Sequence, residues 1–126
     1  MAFRVSKARF DELVDEAIAA LPEPFAGFLE EVPIEVHDEP TESQRKTVGI
    51  DGQKILLGLY VGRPRTRRHI EASGQMPDKI YIFQRSIEEV SRTETQLMEQ
   101  VRKTVLHEIG HHFGMDEHDL IDLGYG

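Results

Sequence analysis

The chain has 126 residues, which suffice for one domain, expected over residues 1–126. Its composition, with 39% hydrophobic and 30% charged residues, excludes a disordered chain. The net charge of −8 argues against a general nucleic-acid binder or a partner of anionic membranes. Cysteine is absent, which leaves His, Asp and Glu as metal ligands. No apolar run is long enough for a signal peptide or a membrane span, and we therefore expect a cytoplasmic protein.

The first predicted element is a helix over about residues 7–20. Ser6 suits its N-cap, and Pro22 and Pro24 end it. Its apolar side chains recur at three- and four-residue spacing, which is typical of a helix that packs one face on a core. They are Phe10, Leu13, Val14, Ala17, Ile18 and Leu21.

Three strands are predicted. Residues 32–37 alternate apolar and polar, and Pro33 should start this strand or lie at a sheet edge because it cannot donate a ladder hydrogen bond. His37 at its end is expected at the surface rather than on a metal. Residues 38–46 are polar and predict a loop. The apolar run at residues 55–61 predicts a strand covered on both faces, and residues 79–83 predict the third strand.

Between the second and third strands lies a basic cluster, residues 62–69. A solvated loop that offsets nearby acids is the favoured interpretation. The alternative is that Arg65 and Arg67 bind an acidic or C-terminal carboxylate of a substrate.

The main helix is predicted from about residue 94 to 113 and opens with a capping pair, Thr93 and Gln96. Seven apolar residues occupy one broad arc of it: Leu97, Met98, Val101, Val105, Leu106, Ile109 and Phe113. Four other residues cluster on the opposite side, which we expect to face a cleft: Gln100, Thr104, His107 and His111.

The end of this helix carries HEIGHHFGMDEH, residues 107–118, with the pattern H-E-x-x-H. Side chains at i and i+4 lie on one helix face, so His107 and His111 can share one tetrahedral ion, for which zinc suits two neutral imidazoles. Glu108 would act as general base, taking a proton from zinc-bound water and handing it to a leaving amine.

The third metal ligand is less defined. Gly114 is expected to end the helix, and Glu117 falls where the longer H-E-x-x-H-x-x-G-x-x-H pattern has its third ligand. Glu117 is favoured, and His118 directly after it is the alternative; Asp116, a distant residue or water would also satisfy the chemistry.

The chain resembles the small bacterial zincin-like proteins, a former domain of unknown function described as candidate zinc metallopeptidases with a minimal metzincin-like fold. The segments that carry the resemblance are FDELV at 10–14, LLGLY at 56–60, PDKI at 77–80 and TVLHEIGHHFG at 104–114. It implies an α+β domain with a short sheet beside the active-site helix, zinc on His107 and His111, and Glu108 as the base. The family favours Asp at the third position, where this chain has Glu117.

In zincins an edge strand beside the active-site helix holds an extended substrate by β-addition, and residues 79–83 are the predicted strand for that role. The expected function is a zinc-dependent metallopeptidase that acts on a peptide or protein substrate by Glu-assisted attack of water. The alternative is a non-catalytic binding or regulatory domain stabilised by its metal. A closed site with four protein ligands would favour that alternative.

Overall fold

The computed structural model describes residues 3–23, 25–30, 32–47, 55–61 and 79–112. These ranges contain five helices and three strands, which confirms the predicted α+β class. The helices are α1 (Lys7–Ala19), α2 (Phe25–Phe28), α3 (Glu42–Thr47), α4 (Gln84–Glu89) and α5 (Glu94–His112). The strands are β1 (Ile34–His37), β2 (Gly58–Val61) and β3 (Lys79–Phe83).

The two long helices pack together on one face of the sheet. Ser6 caps α1 as predicted, because its hydroxyl oxygen accepts a hydrogen bond from the Arg9 amide at 3.0 Å. The predicted apolar face of α5 is confirmed between residues 97 and 109, while Phe113 lies outside the described residues. Both helices contribute to one core: Phe10, Leu13, Val14, Ala17, Leu97, Val101, Val105, Leu106 and Ile109.

The strand order is β1-β3-β2, with β1 parallel and β2 antiparallel to β3. Residues 79–83 therefore form the central strand, and the prediction that they form the edge strand beside the active-site helix is wrong. The reason is burial: Ile80 and Ile82 have no exposed surface, and both sides of this strand are already paired. The expectation for Pro33 is confirmed, since it precedes the edge strand β1 and only its carbonyl takes part, accepting from Ile80 N at 3.0 Å.

Strand β2 lies at the other edge of the described sheet and begins only at Gly58. Leu59, Tyr60 and Val61 are half-buried, and Ile55 is exposed. The prediction of a strand covered on both faces over residues 55–61 is therefore wrong. A continuous apolar run shows that side chains avoid water, but it cannot distinguish a central strand from an edge strand beside a helix.

The predicted loop at residues 38–46 is also wrong, because α3 begins within it. Thr41 and Gln44 form a reciprocal capping box: Gln44 N donates to Thr41 Oγ1 at 3.0 Å, and Thr41 N donates to Gln44 Oε1 at 2.8 Å. The T-x-x-Q spacing in the sequence was the available signal for this short helix. No helix within the described ranges is long and apolar enough to cross a membrane.

Candidate metal centre and its neighbouring strand

Helix α5 is continuous from Glu94 to His112, so it carries the whole H-E-x-x-H pattern. Thr93 opens it as predicted, since its Oγ1 accepts from Gln96 N at 3.1 Å. His107 and His111 are thus one helical turn apart, which is the spacing that two imidazoles on a shared ion require. This backbone arrangement fits a zinc site, and the ligand roles of the two histidines remain predictions.

The other predicted ligands lie outside the described residues. The backbone of His111 is placed in α5, whereas its side chain and the whole of Glu117 and His118 lie beyond what the structure describes, as does the basic cluster at 62–69. The His107 side chain is half-buried. Among the described residues no group of three or more His, Asp or Glu side chains is placed to hold a metal ion.

Glu108 is bound to the edge of the sheet. Its Oε1 accepts a hydrogen bond from the backbone N–H of Tyr60 in β2, with 2.8 Å between nitrogen and oxygen. Both residues are half-buried, and 48 positions separate them in the sequence. A carboxylate that accepts an amide hydrogen bond makes a stronger bond than a neutral acceptor, so this contact restricts where the predicted base can point.

One turn earlier on α5, Thr104 packs on Gly58. A Cβ placed on Gly58 would lie 2.5 Å from Thr104 Cγ2 and 2.9 Å from the Tyr81 carbonyl oxygen, closer than real side chains come. Glycine is therefore required for the helix to approach β2 this closely. Thr104 is only 7% exposed, so the prediction that it faces an open cleft is wrong.

The sequence did not predict that β2 contacts α5 at Thr104 and Glu108. The available signal was Gly58, because a glycine inside an apolar strand often marks a close approach by another backbone or helix. The partner of that glycine could not be read from the sequence. Periodicity assigns a face to each residue but does not say which strand that face meets.

His37, expected at the surface, belongs to a separate cluster on β1 and β3. Its Nε2 lies 3.0 Å from Glu35 Oε1, and its ring centroid is 4.5 Å from that of Tyr81. Lys79 Nζ lies 3.1 Å from Glu35 Oε2. Hydrogen bonds from Lys79 first and His37 second lower the pKa of Glu35, and the same carboxylate raises the pKa of Lys79. The partners of His37 thus include a carboxylate far from the motif.

A groove of about 450 Å³ lies between α1 and β1. Its walls include the apolar residues Val14, Ile18, Leu29, Ile34 and Val36. Because β1 and β2 are at opposite edges of the described sheet, this groove is not part of the site around Glu108. Its size alone does not make it the functional site, since it contains none of the H-E-x-x-H residues.

Comparison with known proteins bears on the fold and the family of the chain. The solved structure of a conserved hypothetical protein from Thermo thermophilus is similar, with a TM-score of 0.56 and 23% sequence identity over 86% of this chain and 94% of that one. At that identity the likeness is one of fold. No curated protein matches the chain significantly. The family model described as zincin-like metallopeptidase matches residues 29–125, and the chain therefore belongs to the zincin-like metallopeptidase family.

Proposed function

We propose that this protein is a zinc-dependent peptidase whose active site lies between the carboxyl-terminal end of α5 and β2, an edge strand of the described sheet. One observation supports this proposal most directly. Glu108, which follows the first predicted ligand, accepts a hydrogen bond from the Tyr60 amide of β2 at 2.8 Å, so the predicted base is held against the sheet next to that ligand.

The metal would be held by His107, His111 and Glu117, with His118 as the alternative to Glu117. Zinc bound by such ligands supplies a Lewis acid that polarises a carbonyl and lowers the pKa of water. Glu108 would accept a proton from the attacking water and return it to the amine that leaves. This proton transfer requires a carboxylate of fixed orientation, because a general base must lie within hydrogen-bond reach of the proton it takes.

The proposed substrate is a peptide or protein segment in extended conformation. Residues 79–83 would not pair with it, because β3 is bonded on both sides within the described sheet. Strand β2 is the edge strand beside α5, and its Tyr60 amide binds Glu108. The net charge of −8 favours neither nucleic acid nor an anionic membrane as a partner.

The experiment compares the parent with Glu108→Gln on a mixed peptide library, with bound zinc counted in both. We expect cleavage by the parent and a loss of about 100-fold or more in the variant at equal zinc, because removing a general base removes that much rate. Glu99→Gln is the matched control, since Glu99 is on the same helix, half exposed, and paired only loosely with Lys103 at 3.7 Å.

Equal cleavage by the parent and Glu108→Gln would exclude this mechanism. No cleavage by either protein, with zinc held tightly by four protein ligands, would favour the non-catalytic domain stabilised by its metal.

A further inference from the structure

We propose that β2 positions the catalytic carboxylate: the backbone amide of Tyr60 holds Glu108, and the contact between Gly58 and Thr104 sets the distance between helix and strand. This inference rests on the proposed function, because it assigns Tyr60, Gly58 and Thr104 as positioning residues for the predicted base. None of the three belongs to the H-E-x-x-H motif.

The direction of the Tyr60 amide follows from the strand register. Phe83 N donates to Leu57 O at 3.0 Å, which makes this opposite pair a hydrogen-bonded pair. Bonded and non-bonded pairs alternate in an antiparallel ladder, so Leu59 and Tyr81 form the next bonded pair. Tyr60, opposite Ile80, then directs its N–H away from β3, to the side on which Glu108 Oε1 accepts it.

The two contacts between α5 and β2 are separated by nearly the same distance along the helix and along the strand. From Gly58 to Tyr60 the strand advances about 6.7 Å, and from Thr104 to Glu108 the helix advances about 6 Å. The pairs Gly58–Thr104 and Tyr60–Glu108 can therefore form at the same time, with α5 and β2 running side by side in the same direction. A shift of the helix at the first contact would change the distance at the second.

The first contact leaves little freedom. Gly58 lies between Thr104 on the helix and the carbonyl of Tyr81 on β3, and any Cβ at this position would overlap both. Gly58 and Thr104 are buried, whereas Tyr60 and Glu108 are half-buried and so closer to solvent. The contact between Gly58 and Thr104 thus sets the distance between α5 and β2, and the hydrogen bond from Tyr60 holds the Glu108 carboxylate at that distance.

The first measurement is the NMR chemical shift of the Tyr60 amide proton, with and without zinc. We expect a shift typical of a strong hydrogen bond in the parent and a marked upfield move in Glu108→Ala, larger than that of the neighbouring Leu59 amide. This readout does not depend on activity. A Tyr60 amide that is unaffected by Glu108→Ala would overturn the proposal.

The second measurement replaces the Tyr60 amide by an ester, using the hydroxy-acid analogue of tyrosine, which keeps the side chain and removes the N–H. We expect kcat to fall at least about tenfold, with KM and zinc affinity retained, because a displaced catalytic group slows chemistry rather than binding. The matched control is the corresponding ester at Phe83, which removes the hydrogen bond from β3 to Leu57, just before β2, without touching Glu108.

Equal kcat in the Tyr60 and Phe83 esters, with Glu108→Gln still inactive, would overturn the positioning role and leave the proposed function standing. Full activity of Glu108→Gln would overturn both. If the Tyr60 ester does not fold, the amide shift in Glu108→Ala decides.

Discussion

At Gly58 the main helix and the sheet approach each other closely. Its missing side chain matters for stability as well as for the site, since the space beside it is filled by Thr104 and by the Tyr81 carbonyl. Close-packed interiors do not absorb an added methyl group without movement of a neighbour, and here one neighbour is backbone.

We predict that Gly58→Ala lowers the free energy of unfolding by about 1–3 kcal/mol, as overpacked cores do. Urea denaturation measures this change. Adding Thr104→Ser should recover part of the lost stability. It removes the Thr104 Cγ2 atom, 2.5 Å from the added Cβ, but leaves the Tyr81 carbonyl oxygen, 2.9 Å from that Cβ.

Gly27→Ala is the control for Gly58→Ala. A Cβ there would meet only the Glu23 carboxylate, at 3.0 Å, on an exposed and flexible side chain. We expect its stability to stay within about 1 kcal/mol of the parent. Similar losses in Gly27→Ala and Gly58→Ala would contradict the close-packing explanation.

Among the elements, α1 and α5 are joined by a bidentate ion pair at the start of α5. Arg9 Nε donates to Glu94 Oε2 at 3.0 Å, and its Nη2 donates to Glu94 Oε1 at 2.8 Å. The hydrogen bond from Arg9 lowers the pKa of Glu94 below its ordinary value of 4.5, and Glu94 raises the pKa of Arg9. A carboxylate in the first turn also suits the helix dipole.

This pair predicts a dependence of stability on pH. A carboxyl group whose pKa is lower in the folded protein stabilises it fully above the unfolded pKa, and this contribution is lost as the pH falls through the folded pKa. The difference in free energy of unfolding between the parent and Glu94→Gln should therefore be largest at neutral pH and shrink below about pH 4.5.

Denaturation of both proteins from pH 7 to pH 3 tests this prediction. Glu99→Gln is the control, because the pair of Glu99 with Lys103 spans 3.7 Å within one helix and should contribute less at every pH. A difference between the parent and Glu94→Gln that stays constant on acidification would show that the carboxylate charge is not what joins α1 to α5.

For the whole molecule, the proposed zinc would connect function to stability. A ligand that binds only the folded protein adds RT ln(1 + [L]/Kd) to the free energy of unfolding. We predict that zinc at about 100 times its Kd raises this free energy by about 2.7 kcal/mol, and that a chelator reverses the change. Thermal unfolding with zinc and with chelator measures it.

His107→Ala should lose this zinc response, and His37→Ala should keep it. His37 is the matched histidine, since it is half-buried like His107 but lies on β1 beside Glu35 and Tyr81, at the other edge of the sheet. A zinc response in His107→Ala equal to that of the parent would exclude His107 as a ligand.

The sequence by itself determined the features that depend on neighbours a few residues apart. The cap at Ser6, the apolar faces of α1 and α5 and the single helix through His107 and His111 follow from spacing of two to four residues. The edge position of Pro33 follows from its missing N–H. The family could be recognised for the same reason, because its most specific motif lies within one helix end.

Only the tertiary structure decided which strand lies at the edge beside the helix. The apolar run at 55–61 and the strand at 79–83 differ little in local pattern, and their order in the sheet depends on contacts between residues far apart in the chain. The contact of Glu108 with Tyr60, which are 48 positions apart in the sequence, also joins residues far apart in the chain. Local periodicity states which side of an element is buried, whereas the partner on that side depends on how the whole chain packs.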